Sequence, residues 1–375
     1  MIEPGKTVGI LGGGQLGRMF AIAARRMGYR VHAFDPVRHG PTGQIADLEV
    51  NASYDDTAAA VDFARAVDVV TFEFENIPSQ TLAAIEKVRP VFPSPSVLDT
   101  TRHRIKEKQF LSGNGFPVAP FRAVKNIADL TQAISELGTP CILKTAEFGY
   151  DGKGQSRIDS PDQAQAAWTK LNCPLGVLEG FVNFDCEISV IVARGQNGDL
   201  FSYPPLENQH RNHILDLTTW PANVSEDVNR QATDLAIRIA KAIDLTGVLC
   251  IEMFVAEGRV IVNELAPRPH NSGHLTIDAF AICQFEAQLR TVCGLPIGDA
   301  RPLAPAAAMA NLLGDLWQAG PPNFAAALAD PAIKLHLYGK TDAKKGRKMG
   351  HLTAVASTPA EAAERVLTAR ERLSG

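Results

Sequence analysis

An apolar run that breaks into glycines and continues as a helix, TVGILGGGQLGRM (residues 7–19), admits few folds. A strand that turns through Gly12, Gly14 and Gly17 into a helix, closed by Gly28 as a C-cap, is followed by a strand parallel to the first, because the helix serves as a crossover. YRVHAFD supplies that strand and VDVVTFEF a further one. The rhythm predicts a Rossmann-like parallel sheet over residues 1–100. Asp35, at the end of the second strand, completes a dinucleotide-binding fingerprint, and an NAD-dependent dehydrogenase is one reading of it. The other is that the glycines let helix and sheet pack closely and leave amide N–H groups for any phosphate.

Beyond residue 100 the pattern changes. VFPSPSVLDTTRHRIKEKQFL breaks the rhythm with prolines and starts a basic helix. Strand-like runs then come in pairs: CILKTA with GQSRI, GVLEGFV with EISVIVAR, and GVLCIEMFVA with RVIVNEL. Glycine-joined hairpins with helices between them predict antiparallel sheets of an α+β domain over 101–300, with a lid at about 120–185. GLPIGDARPLAPAAAMA marks a change of unit, after which AIKLHLYGK, MGHLTAVA and a final helix predict a small C-terminal domain, 301–375.

Composition narrows the function. Lys plus Arg number 37 against 41 Asp plus Glu, a formal charge of -4, which leaves no field to attract a polyanion and argues against nucleic acid. No run approaches the roughly 20 apolar residues of a spanning helix, so no membrane contact and a cytoplasmic setting are expected. The six cysteines lack CxxC spacing and read as reduced core residues.

Two stretches carry chemistry. KTAEFGYDGKGQ (144–155) joins strand to strand and lacks the Ser or Thr that follows GK in a P-loop. A glycine-rich hairpin tip carrying Lys153 predicts a cover over a triphosphate, and Lys144, in an apolar strand, is expected to point into a site. In VLCIEMFVAEGRVIVNEL, a three-residue turn at Glu257-Gly258-Arg259 sets Glu252 opposite Glu264 with Cβ atoms about 5 Å apart. Like charges so placed destabilise a sheet unless a cation sits between them. Few protein oxygens beside a phosphate-covering loop suit Mg2+, and Asn263 adds another oxygen.

Taken in order, GILGGGQLGRM, DVVTFEFENIP, RIKEKQFL, GYDGKGQ, LEGFVNFDCEISVIVAR, ENQH, VNELAPRPHNSGH and GRKMGH resemble the ATP-grasp superfamily, and within it the N5-carboxyaminoimidazole ribonucleotide synthetases of purine biosynthesis. The resemblance implies an ATP-grasp fold (α/β plus α+β) whose first glycine loop serves the substrate side, without nicotinamide. It implies an ATP-dependent carbon–nitrogen ligase that converts 5-aminoimidazole ribonucleotide and bicarbonate through carboxyphosphate, with Mg2+ held by Glu252 and Glu264.

ATP would meet Arg104 and Lys144, the loop Gly149, Tyr150, Asp151, Gly152, Lys153, Gly154 and Gln155, the strand Glu179, Gly180, Phe181 and Val182, and Glu187, His210, Asn263 and Glu264. Arg268 would hold bicarbonate and its phosphorylated form by its planar fork, helped by Asn271 and Ser272. Asp151 and Lys153 would act on the lid. Gln15, Glu73, Tyr150, Lys340, Arg347 and Lys348 would bind the ribonucleotide, with Lys344 and Lys345 facing solvent. A homodimer is carried by the resemblance alone. A formate-using glycinamide ribonucleotide enzyme would share the ATP residues, but GYDGKGQ and PRPHNSGH favour the bicarbonate reaction. His213 stands where the family usually has glycine.

Overall fold

The computed structural model describes residues 1–147 and 154–374. The opening strand and its neighbours, β1 (Thr7–Leu11), β2 (Arg30–Phe34), β3 (Leu48–Val50) and β4 (Val69–Phe72), form a parallel sheet in the order β3-β2-β1-β4. The helix Gln15–Arg26 buries Met19, Phe20, Ala23 and Ala24 on one face and ends where Gly28 takes φ +83°, a left-handed value natural to glycine. That face packs on Phe285, Leu289 and Val292 of a later helix, Gln284–Cys293, which ties the first unit to the second. Three-residue β3 was not foreseen, because LEV is too short to show a period.

A second sheet, antiparallel throughout, holds β5 (Phe121–Val124), β6 (Cys141–Thr145), β7 (Gln155–Ile158) and β8 (Gly176–Gly180) in the order β5-β8-β6-β7. The helices Ile127–Leu137 and Ala164–Leu171 share its core. One expectation fails here: GVLEGFV does not pair with EISVIVAR. Both edges of β8 are already taken, by β5 and β6, so the chain leaves the sheet after Gly180 and starts another.

That third sheet contains β9 (Cys186–Arg194), β10 (Leu200–Ser202), β11 (Leu206–Arg211), β12 (Ile214–Trp220), β13 (Gly247–Ala256), β14 (Arg259–Ala266), β15 (Ala306–Leu313), β16 (Ile333–Leu337) and β17 (Lys348–Ala356). Its order is β14-β13-β9-β11-β12-β15-β17-β16, with β10 added against β9. The strand-rich C-terminal segment therefore extends the central sheet, joined by the β12–β15 ladder, and does not build one of its own. The helix Glu226–Ala242 packs on β9, β13 and β14, and Pro359–Arg372 covers the far end.

Two hairpin turns differ in detail from expectation. β13 and β14 are joined by only two residues, Glu257 (φ +52°) and Gly258 (φ +73°), the handedness of a type I′ turn. A bulge then adds Asn263 to β14 and restores Glu252 to the position opposite Glu264. The facing pair is as expected, by a different route. Asn212 and His213 (φ +52° and +64°) likewise turn β11 into β12, which is why glycine would be natural at His213. Among the described residues no helix is long and apolar enough to cross a membrane, and the six cysteines are all free.

Candidate functional site

A cleft of about 850 Å3 opens where the three units meet. Its walls are Gln15, Glu73 and Glu75 from the first, Arg104, Glu107, Glu264, Arg268, His270 and Asn271 from the second, and Lys340, Lys344, Lys345, Arg347 and Lys348 from the third.

The first glycine loop is already occupied by carboxylates. Asp35 Oδ2 accepts from Gly13 N (2.7 Å), and its other oxygen from Val37 N (2.7 Å). Glu73, at the C-terminal end of β4, accepts from Gly14 N and from Gly17 N, the latter at 2.8 Å. It thereby caps the first turn of the helix Gln15–Arg26, where a dinucleotide would place its pyrophosphate. A Cβ on Gly14 would lie 2.7 Å from Glu73 Oε1, so glycine there admits the carboxylate to the backbone. Asp35, tied also to the Tyr54 hydroxyl at 2.8 Å, is equally engaged. The fingerprint is real in sequence and internal in structure, which removes the dehydrogenase reading.

At the other end of the cleft Lys340 reaches back across the chain, its ammonium donating to Gln15 Oε1 and to the Lys348 carbonyl (2.7 Å). Arg347 donates to the Asp342 carbonyl at 2.8 Å. Five basic side chains so converge on one corner. Lys344 and Lys345 are exposed, as expected, yet line the rim of the same cleft.

The APRPHNSGH segment forms the floor. Arg268 Nε lies 2.7 Å from Glu75 Oε1, an ion pair without hydrogen-bond geometry, and Arg268 Nη1 donates to the Pro269 carbonyl at 3.1 Å. Asn271 is buried, and neither its Nδ2 nor its Oδ1 has a partner, an uncommon state for a buried amide and one expected of a ligand-binding group. Ser272 departs from expectation: it faces the core and donates to His270 Nδ1 (2.9 Å) while accepting from Ser189 (2.8 Å). Asn208 in turn donates to Ser189 (3.0 Å) and accepts from Thr218 (3.0 Å). The chain of donors ends at His270 Nε2, 3.3 Å from Glu252 Oε1. Because Nδ1 accepts from both the Ser272 hydroxyl and the Ser272 N–H, the ring proton belongs on Nε2, the nitrogen nearer Glu252.

Glu252 and Glu264 are opposed in register. Burial, then the charge of Glu264, pushes Glu252 up to about 8. Burial acts on Glu264 too, but Arg104, at 3.3 Å, overcomes it and holds the carboxyl below the usual range. A like-charge pair this desolvated is the environment a divalent cation relieves. Among the described residues no group of three or more His, Cys, Asp and Glu could hold a metal, so the two carboxylates suit an ion that takes its remaining ligands from water and phosphate. Asn263 sits beside them as the extra residue of the bulge.

His210 Nδ1 lies 3.1 Å from Glu187 Oε2; burial lowers the imidazole, and the hydrogen bond and charge of Glu187 more than reverse that. Lys144 is not free in the cleft: its ammonium is 3.0 Å from Glu179 Oε2. The backbone of Glu179 and Gly180 belongs to β8, Phe181 is exposed with the Arg157 guanidinium 4.4 Å from its ring centre, and Val182 lies in the connection to β9. Gly154 (φ +71°) immediately precedes β7, which Gln155 starts opposite Lys144. Gly149, Tyr150, Asp151, Gly152 and Lys153 lie outside the described residues.

Two charged residues were missed, Glu107 and Lys108. Both are buried, and burial pushes Glu107 up to about 8. Their signal was present: Ile105, Lys108 and Leu111 recur every three residues on the inner face of the helix Arg104–Gly113, so a charge interrupts an apolar stripe.

Comparison with known proteins agrees with this geometry. Residues 5–102 match a family described as the ribonucleotide synthetase preATP-grasp domain, 109–285 the ATP-grasp domain, and 307–365 the phosphoribosylaminoimidazole carboxylase C-terminal domain. The chain is 44% identical over 358 residues to the N5-carboxyaminoimidazole ribonucleotide synthase of Bacillus subtilis (strain 168), covering 94% of this chain and 92% of that protein. A crystal structure of an N5-carboxyaminoimidazole ribonucleotide synthetase with ADP superposes with a TM-score of 0.92 at 40% identity, over 100% of this chain and 99% of that one. The Aspergillus clavatus enzyme, solved with ADP and 5-aminoimidazole ribonucleotide, gives 0.89 at 33% identity, over 98% and 99%.

Proposed function

The chain belongs to the N5-carboxyaminoimidazole ribonucleotide synthase family of ATP-grasp ligases, and from that premise we propose how its residues divide the work. It is an ATP-dependent carbon–nitrogen ligase of purine biosynthesis that forms N5-carboxyaminoimidazole ribonucleotide from 5-aminoimidazole ribonucleotide. Bicarbonate is the carbon source in this reading. It is a poor electrophile, so one of its oxygens first attacks the γ-phosphorus of ATP, ADP leaves, and carboxyphosphate results. The exocyclic amine then attacks the carboxyl carbon, or the carbon dioxide released from it, as phosphate departs and the amine loses a proton.

The observation that carries this assignment is the shared cleft: the Arg268–Asn271 floor lies between the Glu264 strand and the basic corner of Lys340, Arg347 and Lys348. Arg268, paired with Glu75, presents a fork to bicarbonate and carboxyphosphate, and the unpartnered Asn271 amide donates beside it. Lys340, Arg347 and Lys348, with Gln15, hold the ribonucleotide phosphate, and Glu73 the ribose. On the ATP side Arg104 and Lys144 meet the phosphates, the backbone at Glu179–Val182 the adenine, and Glu187 with His210 the ribose hydroxyls. Asn263, Gly154 and Gln155 complete that side, together with the 149–153 loop as a lid. Asp151 is the proposed proton acceptor for the amine and Lys153 a phosphate contact. Glu252 and Glu264 would hold Mg2+, which when bound neutralises the charge of the transferring phosphoryl group. A cytoplasmic homodimer is part of the same proposal, the dimer being testable by light scattering.

Phosphate release from Mg-ATP and bicarbonate, with and without 5-aminoimidazole ribonucleotide, tests it. Release should require the ribonucleotide, and Lys340→Met should raise the KM for the ribonucleotide by about 10- to 100-fold while that for ATP stays unchanged. Release indifferent to the ribonucleotide would overturn the assignment.

A further inference from the structure

Two buried lysines share one carboxylate oxygen. Lys144 lies 3.0 Å and Lys108 3.3 Å from Glu179 Oε2. The Lys108 side chain is 2% exposed and that of Lys144 13%, so only Lys144 reaches toward solvent. The Lys108 ammonium has no hydrogen-bond partner, and neither does Glu179 Oε1. An ammonium buried in that state is costly, and packing alone does not require it, since an apolar side chain of the same length would fill the position. Arg104, four residues away on the same helix, adds further positive charge beside the group. Glu264 pairs with Arg104 and Glu107 also lies near Lys108, so what stands out is local: two ammonium groups at one oxygen of Glu179.

We propose that Lys108 is a positioning residue for nucleotide binding: it neutralises Glu179 so that Lys144 can turn from Glu179 to a phosphate. This rests on the reading that Lys144 contacts ATP phosphates. With both lysines present, Glu179 keeps a cation when Lys144 leaves. Without Lys108, the departure of Lys144 would strand an unpaired buried carboxylate, and the nucleotide would bear that cost. Lys108 itself, deep behind Glu179, need never touch the ligand.

Titration calorimetry with the imido analogue of ATP, on the full chain, tests the relay. Lys108→Met should weaken binding by about tenfold or more, the scale on which outer-shell partners act. Its unfolding midpoint should stay level or rise, because a buried charge has been replaced by an apolar chain. Adding Glu179→Gln should restore most of the affinity, since the carboxylate that detains Lys144 is then gone. A purely structural role for Lys108 predicts no such rescue.

Lys144→Met separates this idea from the reading beneath it. If that variant binds the analogue normally, the Lys144 assignment falls and the relay with it. If it binds weakly while Lys108→Met binds normally, only the relay falls. Should Lys108→Met fail to fold, Glu179→Gln and the Lys108→Met/Glu179→Gln double variant carry the test. Equal affinities support the relay, and a further loss in the double variant overturns it.

Discussion

Glu252 and Glu264 occupy directly opposed positions of β13 and β14, yet their surroundings treat them differently: Arg104 pairs with Glu264 and holds it low, while burial and the charge of Glu264 outweigh His210 and Lys348 and push Glu252 up. The pair is thus half-compensated, and in the proposed reading a divalent cation would supply the rest. Glu252→Gln should lower kcat by about 100-fold and raise the Mg2+ concentration needed for half-maximal phosphate release, without changing the KM for the ribonucleotide. Glu264→Ala should do more, since it also removes the carboxylate that Arg104 meets at 3.3 Å. A wild-type Mg2+ profile in both variants would move the metal elsewhere.

Glu73 is expected to serve stability as well as binding. Its carboxylate takes the N–H groups of Gly14 and Gly17, and burial pushes its pKa up in spite of them. Glu73→Ala leaves those donors without a partner and should cost about 1–2 kcal/mol in denaturant unfolding, the usual scale for a lost N-terminal cap. The KM for the ribonucleotide should rise in parallel. NADH should not bind the variant; if it did, the first loop would be a dinucleotide site that Glu73 merely blocks.

What could be read from sequence follows from how local each signal is. The β1–glycine–helix turn and the facing of Glu252 and Glu264 depend on residues of one continuous segment each, and both were legible, although the two-residue turn and the bulge that together set the second were not. The failed pairing of GVLEGFV with EISVIVAR depended on which strand had already claimed the edges of β8, a fact spread over residues 121–180. The carboxylates on the first loop were equally invisible, because Glu73 lies 59 residues from Gly14 and nothing in either segment names the other. Ser272 shows the limit from the opposite side. It sits in a legible motif, but its direction is set by Ser189 across the sheet.

The histidines behind the floor give a pH dependence with a definite sign. His274 and His351 are fully buried with ring centres 5.0 Å apart, and burial, then neighbouring histidines, holds both well below the ordinary value. Below about pH 6.5 the unfolded chain therefore binds more protons at these sites than the native one. Stability is full above that pH and is lost as pH falls, by at most about 1.4 kcal/mol per pH unit for each histidine. His336 faces the pair too, stacked on His351 at 4.5 Å and bonded to Asp278 at 2.8 Å. Urea unfolding between pH 7 and 5.5 should show the loss, and His351→Asn, which keeps an acceptor for the Tyr338 hydroxyl, should flatten the slope. An unchanged slope would assign the acid lability to other groups.

Arg268 and Glu75 offer the sharpest separation of charge from geometry. Arg268 lines the cleft, with Nε 2.7 Å from Glu75 Oε1 and Nη1 donating to the Pro269 carbonyl at 3.1 Å. Lysine preserves the charge but loses both the fork and the bond to the Pro269 carbonyl. Arg268→Lys should therefore lower kcat by about 100-fold or more while the KM for ATP stays near its original value. Glu75→Gln removes the charge beside Nε but keeps the shape of the side chain and should cost much less, about tenfold. Steady-state kinetics with bicarbonate as the varied substrate distinguishes the cases. If Arg268→Lys retains most of the wild-type kcat, a point charge suffices at that position, and the planar recognition of bicarbonate proposed for this floor is wrong.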